Sequence, residues 1–525
     1  METLVDLLSK AARDNGHREF LWMEHSGGLD AWSYQELWRR AHAAAYQLHS
    51  SGVGPGERVL VYAPNSPRLV ATYFGLLLLG AVIVPIDLRS STEFMVAVRE
   101  KARAHTLITA DEPPPELASV HAIRLAALTD DVNVDMGDWR PISPGPDDLA
   151  EIVFTSGTTG RPKGVMLTHR NITSNAESSA SVLSNLPNFR ALSLIPLSHM
   201  FEQIALFAGM RLGASFTYVE TLAPNTLFDT LRRRRVTMIP TVPQIIQIFY
   251  RAIEAEVRRQ GRTRLWNIAH TLARRSPMPV RRRLFSQVHE RLGGHLEYFF
   301  CGGAYLPPEL QEVWERLGVK VLQGYGTTEC SPVVSANLPD RRIVGSVGVP
   351  IPGVEVKLSE EGEILVRGEN VTPGYFEDPA ATSAAFADGW YKTKDLGEFD
   401  KDGNLYIRGR KDDMIVLPDG QNLYPEDLEN ALRLQPAVRD AVVFGLARPR
   451  GTQIHAVILA EPHESGIDVT PEELADAVRA ANRSLANFQR IDSHEVWAED
   501  DFPRTHTLKV KRQDVLKSLK PGQRV

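Results

Sequence analysis

Ten consecutive residues of this 525-residue chain have the make-up of a phosphate cradle. The run Thr155-Ser156-Gly157-Thr158-Thr159-Gly160-Arg161-Pro162-Lys163-Gly164 follows an apolar stretch, 149–154, that reads as a strand. Its glycines let the backbone approach a ligand closely. Its hydroxyls and amides can donate to phosphate oxygens, and Lys163 adds a positive charge. It is not a Walker loop, which sets its lysine directly after a glycine and before Ser or Thr; here Lys163 stands between Pro162 and Gly164. A polar surface turn would rarely need all ten residues, so a phosphate-bearing ligand is the expected occupant. A second run, Gln323-Gly324-Tyr325-Gly326-Thr327-Thr328-Glu329, reads as a strand entering a glycine turn with a polar end, and Gly302-Gly303-Ala304 upstream reads as a tight turn.

Further blocks follow: Trp390-Tyr391-Lys392-Thr393-Lys394-Asp395-Leu396-Gly397, then 406–415, then 416–426, and finally Phe502-Pro503-Arg504-Thr505-His506-Thr507-Leu508-Lys509-Val510-Lys511-Arg512. Taken with the two runs above, they resemble the adenylate-forming superfamily, which includes acyl-CoA synthetases, luciferases and peptide-synthetase adenylation domains. The resemblance extends from the Thr155 loop to the C-terminus. It implies that Thr155, Ser156, Gly157, Thr158, Thr159 and Lys163 bind the nucleotide phosphates, and that Gly303 and Ala304 flank adenine. It assigns Gln323, Gly324, Tyr325, Gly326 and Thr327 to the nucleotide site, with Tyr325 against adenine, Thr328 on the α-phosphate and Glu329 helping to hold magnesium. A carboxylate is the hard oxygen ligand that Mg²⁺ takes.

The same resemblance gives Asp395 the ribose hydroxyls, adds Ile407 to the nucleotide-binding set, and lets Arg410 reach ribose and phosphate. Asp412 falls at the family's hinge, Gly420 in the segment that lines the thiol tunnel, and Lys509 at the place of the catalytic lysine. Lys511 is the rival, with a poorer spacing from Pro503. Two positions depart from the family pattern: Lys394 and Leu508 each stand where glycine is usual.

Pro196-Leu197-Ser198-His199-Met200-Phe201-Glu202 looks like the acid-site motif of long-chain acyl-CoA synthetases, which puts His199, Phe201 and Gly326 at the acyl pocket. A hydrolase pair at Ser198-His199 is rejected, because neighbours on a strand point to opposite faces and no Gly-x-Ser-x-Gly surrounds them. The arginine-rich amphipathic helices between Thr241-Val242-Pro243-Gln244 and Gly303 also resemble long-chain members. The implied function is that of an ATP-dependent long-chain fatty acid–CoA ligase. It makes acyl-AMP with release of pyrophosphate, then acyl-CoA and AMP, and uses ATP, Mg²⁺ and coenzyme A. An acyl-carrier-protein acceptor, a medium-chain or aryl acid, and a luciferase-type oxygenase stay open. A non-catalytic nucleotide sensor is opposed by the joint presence of Lys509, Glu329, Asp395 and Arg410.

The elements that must position these residues follow from length and pattern. A chain this long divides into domains. Alternating helical and strand-like stretches (helix 37–49, strand 58–63, helix 69–79) predict an α/β fold with largely parallel sheets. The expected organisation is a large N-terminal domain of layered helix/sheet subdomains, 1–409, and a small mobile α+β domain, 410–525, of the acyl-CoA synthetase/luciferase-like kind. In the latter, Pro425 opens a helix and Thr470-Pro471-Glu472-Glu473 is a capping box.

A net charge of -6 argues against bulk nucleic-acid binding. Two cysteines, Cys301 and Cys330, make no disulfide framework, and the acidic start carries no export signal; both suit a cytoplasmic protein. The uncharged stretch 69–86 is punctuated by Gly75, Gly80 and Pro85, so it reads as a buried helix and strand rather than a membrane span. The basic runs Arg232–Arg235 and Arg281–Arg283 read as solvated helix faces, with anionic lipid or a nucleotide carrier as the alternative. Peripheral membrane contact and a homodimer stay open.

Overall fold

A computed structural model describes residues 2–129, 135–156, 162–186, 188–417, 421–448, 451–461, 468–486, 489–504 and 510–519. The chain forms two compact units, the larger of residues 1–357, 365–392 and 401–405 and the smaller of 358–364, 393–400 and 406–525. They interleave in sequence because the strands Glu363–Gly368 and Trp390–Phe399 each contribute residues to both.

Among the described residues, two sheets lie wholly within the larger unit. One has nine strands, with Lys320–Gly326, Tyr298–Cys301, Met238–Thr241, Arg190–Leu192, Ser215–Tyr218 and Glu19–His25 as consecutive parallel neighbours and antiparallel strands at both edges. The other has six: His121–Arg124, Thr106–Thr109, Arg58–Tyr62, Val82–Pro85 and Leu149–Ser156 run parallel, and Pro162–Thr168 returns antiparallel at the edge. Parallel strands covered on both faces read as near-continuous apolar runs. Val82–Pro85 and Thr106–Thr109 accordingly have every residue buried.

The uncharged stretch resolves as read. Ser66 caps the helix Pro67–Leu78, Gly80 turns the chain at φ +71, and the strand Val82–Pro85 follows. A β-carbon at Gly75 would stand 2.9 Å from the Ala44 methyl, so glycine lets this helix close on Tyr34–Ser50. No helix among the described residues is long and apolar enough to cross a membrane.

In the smaller unit the strands Val438–Arg448, Gly451–Ala460 and Ser493–Val496 form a sheet. Helices Pro425–Arg433 and Pro471–Ser484 share its core, through Leu428, Leu432, Val443, Ile454, Leu474 and Val478. Pro425 is at the first turn, where its missing amide costs no hydrogen bond. The capping box forms, with Thr470 accepting from the Glu473 amide and Glu473 accepting from Thr470.

Two carboxyl groups are sealed inside the larger unit. Glu151 is on the strand Leu149–Ser156 and Glu202 on the helix Met200–Arg211; they are 1% and 0% exposed. One Glu151 oxygen accepts from Gln203 Nε2 at 3.0 Å, and that amide also donates to Leu197 O. Burial disfavours the charged form and pushes both groups up to about 8. In the unfolded chain each titrates near 4.5. Between those values the folded protein therefore holds more protons, so stability falls as pH rises. Thermal midpoints measured from pH 5 to 9 are expected to decline through this window, on the order of a few kcal/mol per group. Glu202→Gln, permanently neutral, is expected to flatten the decline; a variant with an unchanged pH slope refutes the assignment.

Candidate active site

The strand Leu149–Ser156 and its antiparallel partner Pro162–Thr168 set the ends of the Thr155 loop. Thr155 faces Lys163 and Ser156 faces Pro162 in the ladder. Gly157, Thr158 and Thr159 lie outside the described residues. A β-carbon at Gly164 would stand 2.8 Å from Ile152, so the return strand packs closely here. The Phe376 amide donates to Gly164 O at 2.7 Å, which binds residues 374–376 to the loop's exit. The consequence is that Lys163 Nζ lies over the Tyr375 ring, 5.4 Å from its centroid.

Glu329 meets the same tyrosine. The strand Lys320–Gly326 runs through buried Val321, Leu322 and Gln323; Gly324 to Glu329 are then half-buried, the last two in a one-turn helix, Thr328–Cys330. The Thr327 amide donates to Pro332 O and the Thr372 amide to Glu329 O. The Tyr375 hydroxyl donates to Glu329 Oε1 at 2.9 Å. Tyr391 is buried beside this pair; burial, reinforced by the Glu329 charge, holds both phenols well above the ordinary tyrosine range. Loop lysine, tyrosine and carboxylate thus form one chain of contacts, Lys163–Tyr375–Glu329.

Gly303 turns at φ +80 after the strand Tyr298–Cys301, with Ala304 half-buried next to it. This strand pairs with Lys320–Gly326 so that Cys301 faces Gln323. Both turns therefore leave the same end of a parallel sheet, the carboxyl ends of its strands, where open α/β sheets bind ligands. Gln323 Oε1 and Thr327 Oγ1 are buried there with no hydrogen-bond partner among the described residues. Orphaned polar atoms cost free energy unless a ligand supplies the partner, which fits a nucleotide. Magnesium fits the same place: one carboxylate, Glu329, held by a phenol, suits an ion that takes most of its ligands from phosphates and water.

The acid-site motif corrects the sequence argument. Ser198 and His199 are not on a strand; they precede the helix Met200–Arg211, with His199 at its N-cap. Both reach one carboxylate, Asp87 Oδ2, from Ser198 Oγ at 3.4 Å and His199 Nε2 at 3.3 Å. The hydrolase reading still fails, because the serine and the histidine share an acceptor instead of pairing with each other. Phe201 lies against Phe300, centroids 5.5 Å apart, and covers Gly302 beside Gly324 O. Phe201 and Gly324, on the strand that ends at Gly326, thereby flank the same glycine, Gly302.

In the smaller unit Asp395 Oδ1 and Arg410 Nε pair at 3.2 Å. Ile407 is half-buried on the strand Leu405–Arg410. Lys394 adopts φ +63, the left-handed conformation that explains the usual glycine. Its amide donates to Glu363 Oε1 at 3.0 Å and its ammonium to Asp412 Oδ2 at 2.9 Å. Gly420, Leu508 and Lys509 lie outside the described residues. Asp87 and Tyr375 escaped the sequence reading. For Tyr375 the available signal was an aromatic residue directly after a glycine, Gly374; Asp87 closes the apolar run at 81–86 and had no local signal.

Residues 8–376 match the AMP-binding enzyme family and residues 412–521 the AMP-binding enzyme C-terminal domain. The chain belongs to the AMP-binding enzyme family. It is similar to a long-chain-fatty-acid–CoA ligase of Mycobacterium tuberculosis, 29% identical over 541 residues that cover 91% of this chain and 89% of that protein. It is similar also to feruloyl-CoA synthase of Amycolatopsis, 30% identical over 93% of this chain and 94% of that one. Among solved structures it is similar to o-succinylbenzoate CoA synthetase from Bacillus subtilis in complex with its acyl-adenylate intermediate, at TM-score 0.80, 26% identity and 97% of each chain. Within the family this chain is an AMP-forming acid–CoA ligase that uses ATP with magnesium and takes coenzyme A as co-substrate.

Two substitutions test the geometry. A hydrogen bond to a charged group contributes about 1.5–3 kcal/mol, so Tyr375→Phe is expected to raise the magnesium concentration for half-maximal rate roughly tenfold. A magnesium titration at saturating ATP reads it; an unchanged midpoint means the phenol does not orient Glu329. Lys394→Gly relieves about 1–2 kcal/mol of left-handed strain and loses an exposed ion pair that contributes about 0–1 kcal/mol. Urea unfolding is expected to show a net gain of about 1 kcal/mol, whereas Lys394→Ala, still strained, shows none.

Proposed function

We propose that the acid is a long-chain fatty acid. The observation that carries this is an apolar cleft in the larger unit, between the helices Pro224–Arg234 and Pro243–Arg259, with Leu194 in its wall. Leu194, Leu227, Phe228, Ile245, Ile248 and Phe249 line it, with no polar side chain among its lining residues. Such a lining rewards an alkyl chain by about 0.8 kcal/mol per buried methylene. The long-chain ligase of Mycobacterium tuberculosis supports the reading. A second reading, an aryl acid, is favoured by the Phe201–Phe300 pair beside Gly302 and by the feruloyl and o-succinylbenzoate relatives.

In the first half-reaction the carboxylate attacks the α-phosphate of ATP and pyrophosphate leaves. Charge spreads over phosphate oxygens in that transition state, so catalysis is a matter of position and electrostatics. Lys163 and Thr328 are assigned that charge, with Thr155, Ser156, Gly157, Thr158 and Thr159 holding the phosphates. Gln323, Gly324, Gly326 and Thr327 are assigned to the nucleotide site, with Gly303, Ala304 and Tyr325 at the base. Glu329, oriented by Tyr375, would hold magnesium, which when bound neutralises phosphate charge. In the smaller unit Asp395, Ile407 and Arg410 are assigned the sugar and its phosphate, Lys509 the first half-reaction, Asp412 the hinge and Gly420 the thiol path. In the second half-reaction the thiol attacks the mixed anhydride and AMP leaves.

Purified protein given ATP, magnesium, coenzyme A and acids of graded length is expected to release AMP and pyrophosphate, with kcat/KM rising with alkyl length. A preference for cinnamic or benzoic acids selects the second reading. Lys509→Ala is expected to lose adenylation by a factor of 100 or more, on the order typical of a positioned charge, while thioester formation from supplied acyl-AMP survives. Equal loss in both steps refutes its role.

A further inference from the structure

The helix Thr263–Ala273 has more apolar surface than the core covers. Trp266 and Ala269 pack against the core cluster, and Ala273 is buried within it. Leu265, Ile268 and Leu272, spaced i, i+3 and i+7, form a second stripe on one face and are 66%, 57% and 56% exposed. Single exposed leucines are ordinary. Three bulky aliphatic residues stacked along one helix edge are an uncovered apolar face.

The charge around the stripe names what covers it. Residues 257–289 contain nine arginines and no aspartate or glutamate, in a chain whose net charge is -6. Arg281 and Arg282 are used internally, donating to carbonyls at Ser276, Glu315, Leu296 and Gly318. Arg258, Arg259, Arg262, Arg264, Arg274, Arg275 and Arg283 are exposed, although Arg259 also pairs with Glu256. Guanidinium groups bind phosphate in bidentate fashion, and an apolar edge flanked by cations is the pattern of a helix that lies in a lipid interface.

We propose that the helix Thr263–Ala273 docks on an anionic lipid surface, with Leu265, Ile268 and Leu272 entering the acyl boundary and the surrounding arginines meeting headgroup phosphates. The proposal is independent of which acid is activated. It adds a location for the reaction: an acid already dissolved in a bilayer would be met there by the enzyme that activates it.

The test is co-flotation of the full-length protein with vesicles of phosphatidylcholine, and of phosphatidylcholine mixed with phosphatidylglycerol. Partitioning onto the anionic vesicles is expected to be at least about tenfold stronger and to weaken as salt rises. Leu265→Gln with Ile268→Gln and Leu272→Gln is expected to abolish it while turnover of a water-soluble short acid and the thermal midpoint stay at wild-type values. Arg264→Gln with Arg274→Gln and Arg275→Gln is expected to remove most of the preference for anionic lipid. Equal binding to both vesicle types, or full binding by the three-glutamine apolar variant, overturns the proposal. So does retention by the protein of phosphatidylglycerol preference when all six positions are changed, since the contact then lies elsewhere.

Discussion

The larger unit's site depends on a backbone approach that has no room for a side chain. A β-carbon at Gly326 would stand 1.7 Å from the Pro332 carbonyl oxygen, so the strand and the segment after the one-turn helix close on each other only through glycine. That closure sets the hydrogen bond from the Thr327 amide to Pro332 O and leaves Thr328 and Glu329 half-buried. Thr372 and Tyr375, from a segment almost 50 residues further on, then take the backbone and the carboxylate of Glu329. The same segment is bonded to Gly164. One steric constraint therefore positions the carboxylate proposed to hold magnesium and ties it to the loop that carries Lys163.

How much of this was legible depends on the range of the interaction. The strand read at 149–154, the helix read at 69–79, the turn at Gly303 and the cap at Thr470 are set by neighbours in sequence, and each formed within two residues of the expected bounds. The contact between Lys163 and Tyr375 joins residues more than 200 positions apart, and nothing in either neighbourhood specifies it. Asp87 is a similar case. Its carboxylate gathers Ser198 and His199 from over 110 residues away, and a strand rule applied to those two residues gave a sound rejection for an unsound reason. They sit in a turn, where alternation has no force.

Lys394 shows how a departure from pattern is accommodated. The backbone conformation that glycine normally supplies is retained at φ +63, so the turn before Asp395 keeps its shape. The side chain that glycine lacks is put to use on Asp412. The backbone strain of about 1–2 kcal/mol is only partly offset by an exposed ion pair of about 0–1 kcal/mol, a net cost small enough for such a replacement to be tolerable.

Both cysteines of the chain are sealed, Cys301 at 1% and Cys330 at 0% exposure, and burial pushes the Cys301 thiol far above its ordinary range. A mixed anhydride is an indiscriminate acyl donor, and thiolate is the side-chain nucleophile most prone to intercept it. With neither cysteine thiol within reach of solvent, this catalyst presents its activated intermediate with only one competent thiol, the one delivered by the incoming carrier. Self-inactivation by misdirected acylation is thus suppressed by where two thiols are stored.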